Sequence, residues 1–537
     1  MAETAPVLKL VDLRVETIHG NVLVDNVSLE LKRGEVVGLI GESGAGKSTI
    51  GLASMAYSRA GCRITGGRIE IDGVSVRDLS PEGRRDMRGQ RIAYIAQSAA
   101  ASFNPAHTIM QQVCEMPIQH GLMGKAEAEK NAVELFRSLG LPNPDTFGNR
   151  YPHEVSGGQL QRAMTAMAIS CRPDILVFDE PTTALDVTTQ IEVLALVKRL
   201  IAELNTAALY ITHDLAVVAQ VTDRIMVLRD GKMIELDTTD NILNKPENAY
   251  TQALVNERKA ADHFGDIQED HRGDTILKVD NVVGKYGDFT VLKNVSINVA
   301  RGETVAVVGE SGSGKSSLAR LIVGLLPRES GSVNFGGKEL STHTKTRTKD
   351  DLRKIQLIYQ LPDVALNPRQ TIGEIIGRPY AFYFNKSPAE VKARVAELLR
   401  QVGLPEDYAG RLSTALSGGQ KQRICIARAL AANPDLVICD EPTSALDQLV
   451  AEDILKLLKK LQDELGLAYL FITHDLGIVR RIAHRTAVML RGEVVAEGPT
   501  EQIFNPPFHP YTEKLLSSVP EMRTDWLDDV LAKRKVV

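Results

Sequence analysis

Short β-branched runs alternate with amphipathic, helix-like segments along this chain, the patterning of an α/β fold built on a largely parallel sheet. VVGLI at Val36–Ile40 and VAVV at 305–308 read as strands, each entering a glycine-rich loop. Downstream of each loop the pattern turns helical, with KAEAEKNAVELFRSLG from Lys125 and SPAEVKARVAELLRQVG from Ser387, which places a helical subdomain there. Residues 256–275 are polar, charged and poor in apolar side chains, and read as a short solvated linker. No apolar run approaches the roughly 18 residues that span a bilayer. The first residues, MAETAPVLKL, lack the charged-then-apolar pattern of a secretion signal. The expectation is a chain that stays in the cytoplasm.

The pattern occurs twice. GESGAGKS at 41–48, VSGGQ at 155–159, a strand ending in Asp179-Glu180 and ITHD ending at Asp214 recur in the same order. Their counterparts are GESGSGKS at 309–316, LSGGQ at 416–420, Asp440-Glu441 and ITHD ending at Asp475. Ser156 and Ser417, Glu180 and Glu441, and His213 and His474 are each separated by 261 residues. A repeat at this scale means two homologous domains. We expect a first domain over 1–258, a linker over 259–275 and a second domain over 276–537, each large enough to bury its own core.

Composition changes this picture little. The 537 residues are 43% hydrophobic and 24% charged, ordinary for a soluble globular chain. A net charge of −5 gives no general attraction to nucleic acid or to anionic lipid. The five cysteines, Cys62, Cys114, Cys171, Cys425 and Cys439, lack C-x-x-C spacing, and the apolar settings of Cys425 and Cys439 predict buried reduced thiols.

G-x-x-x-x-G-K-[ST] between a strand and a helix is a phosphate-binding loop. Its glycines (Gly41, Gly44, Gly46; Gly309, Gly312, Gly314) let backbone N–H groups close on phosphate oxygens, and the following helix adds its positive end. Lys47 and Lys315 are placed to meet the β- and γ-phosphates, and Ser48 and Ser316 to ligate Mg²⁺. Asp179 and Asp440 each end an apolar strand, a costly position for a carboxylate without a cation to meet. Glu180 and Glu441 stand where a carboxylate can act on the attacking water, as a base or as an orienting group. His213 and His474 recur in one register, which argues for contact with the γ-phosphate over a purely packing role. Ser156-Gly157-Gly158 and Ser417-Gly418-Gly419 open helix-like runs and read as a second anion-binding helix start in each domain. One nucleotide has little use for two such sites in its own domain, so these should serve the nucleotide of the other domain.

These motifs in this order, with Gln97 and Gln360 at a strand end between the loop and SGGQ, resemble the ATP-binding cassette (ABC) family across nearly the whole chain. The resemblance implies two tandem P-loop NTPase cassettes, each an α/β RecA-like core with a helical subdomain and a small antiparallel β subdomain. It implies two shared ATP sites. One would join Lys47, Ser48, Thr49, Gln97, Asp179, Glu180 and His213 to Ser417, Gly418, Gly419 and Gln420. The other would join Lys315, Ser316, Ser317, Gln360, Asp440, Glu441 and His474 to Ser156, Gly157, Gly158 and Gln159. Mg²⁺ would lie among Ser48, Gln97 and Asp179, and among Ser316, Gln360 and Asp440. Asp186 and Asp447, in matching ALD triplets, would carry the family's inter-domain coupling. The family also stacks adenine on an aromatic residue upstream of the loop. Phe289, 20 residues before Gly309, fits, whereas Asn21 stands at the matching distance before Gly41. Either a neighbour such as His19 substitutes, or the first site holds adenine more weakly.

NPAHTI at 104–109, NPRQTI at 367–372 and NPPFHPYTEKLLSSVP at 505–520 resemble the oligopeptide, dipeptide and glutathione importer branch. That branch implies an ATP-hydrolysing subunit, peripheral on the cytoplasmic face of the inner membrane. Its partners would be two transmembrane permease subunits and, through them, a periplasmic or extracellular substrate-binding protein, with no nucleic acid. Some members hold an iron–sulfur cluster on tail cysteines. None follows Cys439 here, so no cluster is expected. The alternative is a soluble two-cassette ATPase acting in translation, but such proteins carry a much longer charged helical linker. DNA-repair relatives carry zinc-binding cysteine pairs, which this sequence lacks.

Overall fold

The computed structural model describes residues 5–182, 186–260, 273–444 and 446–535. The chain divides into two compact units, one of Met1–Leu185, Thr189–Arg258 and Pro520–Val537, the other of Asp186–Thr188 and Lys259–Val519.

In the first unit, Leu8–Thr17 lies between Val22–Leu31 and Cys62–Ile71 in an antiparallel sheet, with Val74–Ser75 at its edge. Alternation of buried and open positions along LKLVDLRVET turns one face of this sheet inward. A second sheet runs in the order Lys232–Thr238, Arg224–Arg229, Val36–Ile40, Ala207–Ile211, Ile175–Asp179, Ile92–Ile95. All but the edge strand Lys232–Thr238 are parallel. Val36–Ile40 is buried at all five positions, as a strand covered on both faces must be. Leu8, Leu13 and Val24 from the antiparallel sheet share a core with Val37, Leu39 and Ile211 from the parallel one and with Ile50 from the helix Lys47–Ala53. That core fixes the P-loop helix against both sheets.

The second unit repeats this plan. Its antiparallel sheet orders Phe289–Ala300, Thr275–Tyr286, Arg328–Phe335 and Lys338–Glu339. Its larger sheet orders Ile355–Ile358, Leu436–Asp440, Ala468–Ile472, Thr304–Val308, Arg485–Leu490 and Glu493–Pro499. Both expected helical stretches form, as Lys125–Ser138 and Pro388–Gln401. The second starts with a capping box between Ser387 and Glu390. It packs Val395, Leu398 and Leu399 against Ile372, Ile375 and Ile424 of neighbouring helices. In the first unit Phe136 meets Phe147 edge to face at 5.3 Å. Cys425 and Cys439 are buried in the second unit.

Two stretches differ from the sequence-based expectation. The helix Ala249–Ala260 continues into the region read as linker, and Thr275 already belongs to a strand; residues 261–272 lie outside the described residues. The last residues, read as part of the second domain, pack on the first unit. There the Gln220 amide donates to the carbonyls of Glu521 at 2.9 Å and Arg523 at 3.0 Å, and its oxygen accepts from Leu527 N–H at 3.1 Å. Trp526 and Leu527 are buried, and Lys198 pairs with Asp528 at 2.6 Å.

Candidate functional sites

In the first unit the strand Val36–Ile40 runs into a loop whose three glycines all have positive φ: 155° at Gly41, 86° at Gly44 and 94° at Gly46. A Cβ on Gly41 would stand 2.1 Å from the Leu228 carbonyl oxygen, whereas one on Gly44 would meet nothing within 4 Å. The loop is therefore pressed onto the sheet at its root and open at its crown, the shape of a phosphate cradle. Lys47 is buried, and its Nζ donates to the carbonyls of Gly41 at 2.6 Å and Glu42 at 2.8 Å. Ser48 Oγ donates to Asp179 Oδ1 at 2.8 Å.

Asp179 ends its strand, and Glu180 turns out of it at φ 50°, its N–H held by the Ile211 carbonyl at 2.9 Å. Gln97 Nε2 donates to Glu180 Oε2 at 3.0 Å, and His213 Nδ1 lies 3.4 Å from Glu180 Oε1. Burial lowers the His213 pKa, but the hydrogen bond and charge of Glu180 outweigh it, and the net shift is upward. Asp214, last of ITHD, caps the helix Leu215–Val218 through Ala216 and Val217 N–H, a structural role.

The second unit builds the same constellation. Gly309, Gly312 and Gly314 have φ of 149°, 79° and 105°. Lys315 Nζ donates to the Gly309 carbonyl at 2.8 Å and the Glu310 carbonyl at 2.9 Å. Ser316 Oγ reaches Asp440 Oδ1 at 2.9 Å, Gln360 Nε2 reaches Glu441 Oε2 at 2.7 Å, and His474 Nδ1 lies 3.4 Å from Glu441. Burial pushes the Lys315 pKa down and the Asp440 pKa up, both toward the neutral form. Burial also acts upward on Glu441, yet His474 and the charge of Lys315 bring it below the ordinary carboxylate value. Glu441 is thus held ionised beside an imidazole whose own pKa is raised.

A hydroxyl and a carboxylate oxygen side by side, Ser48 with Asp179 and Ser316 with Asp440, suit a cation that takes its remaining ligands from phosphate and water, as Mg²⁺ does. Among the described residues no cluster of three or more His, Cys, Asp or Glu offers an all-protein cage. The donor set fits Mg²⁺ carried in with a nucleotide.

Ser156 and Ser417 are the N-caps of the helices Gly157–Ile169 and Gly418–Leu430, and their hydrogen bonds close on Gln159 and Gln420 as capping boxes. The two glutamines therefore shape the helix start. A Cβ on Gly157 would meet nothing within 4 Å, so that face of the helix start is open.

Two residues escaped the sequence reading. Tyr94 donates its hydroxyl to Asp179 Oδ2, and Leu357, in the matching strand of the second unit, has no such group. Comparing the two copies position by position exposes that difference. Phe289 opens its strand and is 69% exposed, but Tyr286 faces it across the hairpin. Tyr286 OH accepts from Arg320 of the P-loop helix at 3.3 Å. Two aromatic rings, not one, flank this P-loop. The matching hairpin of the first unit, between Thr17 and Val22, offers an exposed Ile18.

The root glycines carry a prediction. A Cβ on Gly309 would lie 2.2 Å from the Met489 carbonyl oxygen, backbone against backbone. Gly309→Ala should displace the loop, cost about 2–3 kcal/mol in strain and contact, and lower ATP affinity at the second site at least tenfold. A Cβ on Gly312 meets nothing within 4 Å, so Gly312→Ala bears only the φ penalty of about 1 kcal/mol. Thermal melts and fluorescent-nucleotide titrations compare them, and equal effects would refute the root-and-crown description.

The chain matches the ABC transporter family model twice, over residues 24–183 and 292–444, and the C-terminal region of oligopeptide/dipeptide transporters over 495–536. It is 39% identical to the glutathione import ATP-binding protein GsiA of Escherichia coli (strain K12), covering 93% of this chain and 86% of that protein. It is 38% identical to the protein of the same name from Salmonella choleraesuis, covering 96% and 90%. Among solved structures, CbiO1 from Clostridium perfringens is 32% identical with a TM-score of 0.40, covering 43% of this chain and 91% of that one. Both matched family models are of transporters, and the translation alternative gains no support from them. Two P-loop cassettes, a transporter-type C-terminal region and relatives matched along nearly the whole length place the chain in the ABC transporter family, as an ATP-binding protein and ATPase of its oligopeptide/dipeptide branch.

Proposed function

We propose that the chain powers the import of peptides, or of peptide-like solutes such as glutathione, through two membrane permease subunits. What carries this reading is the joint presence of two intact P-loops and an oligopeptide/dipeptide C-terminal region, in a chain similar to glutathione import proteins. Among the described residues no helix is long and apolar enough to cross a membrane, and the proposal assigns the membrane path to the permease subunits. The subunit works at the cytoplasmic face of the inner membrane, and a periplasmic or extracellular binding protein delivers substrate to the permease.

At each P-loop the backbone and Lys47 or Lys315 bind the β- and γ-phosphates. Ser48 with Asp179 and Gln97, and Ser316 with Asp440 and Gln360, would hold Mg²⁺, which when bound draws charge from the phosphate oxygens. Glu180 and Glu441 orient the attacking water or take its proton. His213 and His474 fix those carboxylates and reach the γ-phosphate. Thr49 and Ser317, next along each P-loop helix, add polar contacts to the same phosphates. Ser156, Gly157 and Gly158, and Ser417, Gly418 and Gly419, serve the nucleotide bound by the other P-loop. Phe289 or its neighbour Tyr286 stacks the adenine of the second P-loop.

The test is uptake of labelled glutathione and of di- and tripeptides by cells that express the chain with its permease subunits. Uptake that disappears with Glu441→Gln supports the proposal. A purified chain that hydrolyses ATP, yet neither co-purifies with membrane subunits nor restores uptake of any of these solutes, would remove the import reading and leave the ATPase standing.

A further inference from the structure

The His-Pro-Tyr run of the C-terminal region opens the helix Pro510–Leu516, and each of its residues has a separate task. His509 Nδ1 accepts from Tyr511 N–H at 3.2 Å and caps the helix, while Pro510 begins it with a preset φ. Tyr511, buried to 8% exposure, then aims its hydroxyl at the P-loop of its own unit, where it accepts the N–H of Glu310 at 3.0 Å. Lys514, one turn further on, pairs with the Glu310 carboxylate at 3.1 Å.

The peptide group that carries the Glu310 N–H also carries the Gly309 carbonyl, and that carbonyl accepts Lys315 Nζ at 2.8 Å. In a planar trans peptide the N–H and C=O point in opposite directions. The phenol and the ammonium therefore hold opposite ends of one rigid group, and fixing one end fixes the other.

We propose that Tyr511, assisted by Lys514, is a positioning residue for Lys315, tying the C-terminal region to phosphate binding in the second cassette. The first cassette has the tyrosine but holds it less firmly. Tyr250, 261 residues before Tyr511, faces the backbone and side chain of Glu42, the counterpart of Glu310, but its buried hydroxyl makes no hydrogen bond of ordinary geometry. Its ring instead takes the Arg229 guanidinium at 4.9 Å, and the residue that corresponds to Lys514 is Ala253.

The test is equilibrium titration of full-length protein with a fluorescent ATP analogue, in a Lys47→Ala background that silences the first P-loop. Tyr511→Phe keeps the ring and removes one hydrogen-bond acceptor. The expected result is an ATP Kd raised about fivefold, the worth of one hydrogen bond. The Kd for AMP, read by competition, should not change because AMP lacks the phosphates that Lys315 meets. Lys514→Met should raise the ATP Kd about twofold, as an exposed ion pair warrants. Tyr250→Phe, read in a Lys315→Ala background, should raise the ATP Kd by less than twofold. An unchanged ATP Kd in Tyr511→Phe, an equal loss for ATP and AMP, or an equal effect of Tyr250→Phe overturns the proposal. If Tyr511→Phe fails to fold, Lys514→Met decides on the same ATP-to-AMP ratio.

Discussion

Glu180→Gln combined with Glu441→Gln should lower ATP hydrolysis about a thousandfold while nucleotide binding persists. The loss is the size expected when a positioned carboxylate no longer acts on the attacking water. Binding should persist because Lys315, Ser316 and Asp440 make their contacts without Glu441, and their counterparts do so without Glu180. The amide oxygen can still accept from Gln97 or Gln360, so the substitution removes charge more than shape. It also removes the group that raises the pKa of each histidine, leaving burial to draw those pKa values down. Single-turnover hydrolysis and equilibrium titration check this. A double variant with more than a tenth of the parent rate would place the water-activating group elsewhere.

The second large effect is expected for Lys47→Ala. Lys47 is buried, and its ammonium bridges the carbonyls of Gly41 and Glu42 as well as facing the phosphate cradle. Its removal takes the ammonium from the Gly41 carbonyl, leaves the Glu42 carbonyl with only the Ala45 N–H, and deletes a charge-assisted contact to phosphate, together about 2–3 kcal/mol or roughly a hundredfold in affinity at the first site. If both sites are obligatory, uptake through the assembled transporter should fall below about a tenth of normal even though Lys315 is untouched, because the variant then depends on filling a site roughly a hundredfold weaker. Near-normal uptake would show that one site suffices.

Much of this was legible in the residues themselves. The glycines at 41, 44 and 46 are needed because of local backbone conformation, and the carboxylates at 179 and 180 follow directly from a buried strand, so short-range pattern reveals them. The longer-range partners were not legible. Gln220 meets residues some 300 positions further on, and no periodicity at either end announces the pairing. Tyr94 looks like an ordinary strand residue until its hydroxyl is seen against Asp179. Residues 256–260 have linker-like composition but follow a helix already nucleated at Ala249, and extending a helix is easier than starting one. Phe289 was found by its distance from the P-loop, which cannot distinguish it from Tyr286 on the opposite strand of the hairpin.

The docking of the last residues onto the first unit has a consequence for biosynthesis. The binding place around Gln220 is translated early, whereas Trp526 and Leu527, which fill it, are translated some 300 residues later. At roughly 5–20 residues per second, the interval is about 15–60 s. For that time the N-terminal cassette must persist with the place of Trp526 and Leu527 uncovered and the Gln220 amide open to water. A chain cut short by a premature stop keeps that defect for good, and so carries on its first cassette a mark by which proteases and chaperones can recognise an unfinished product.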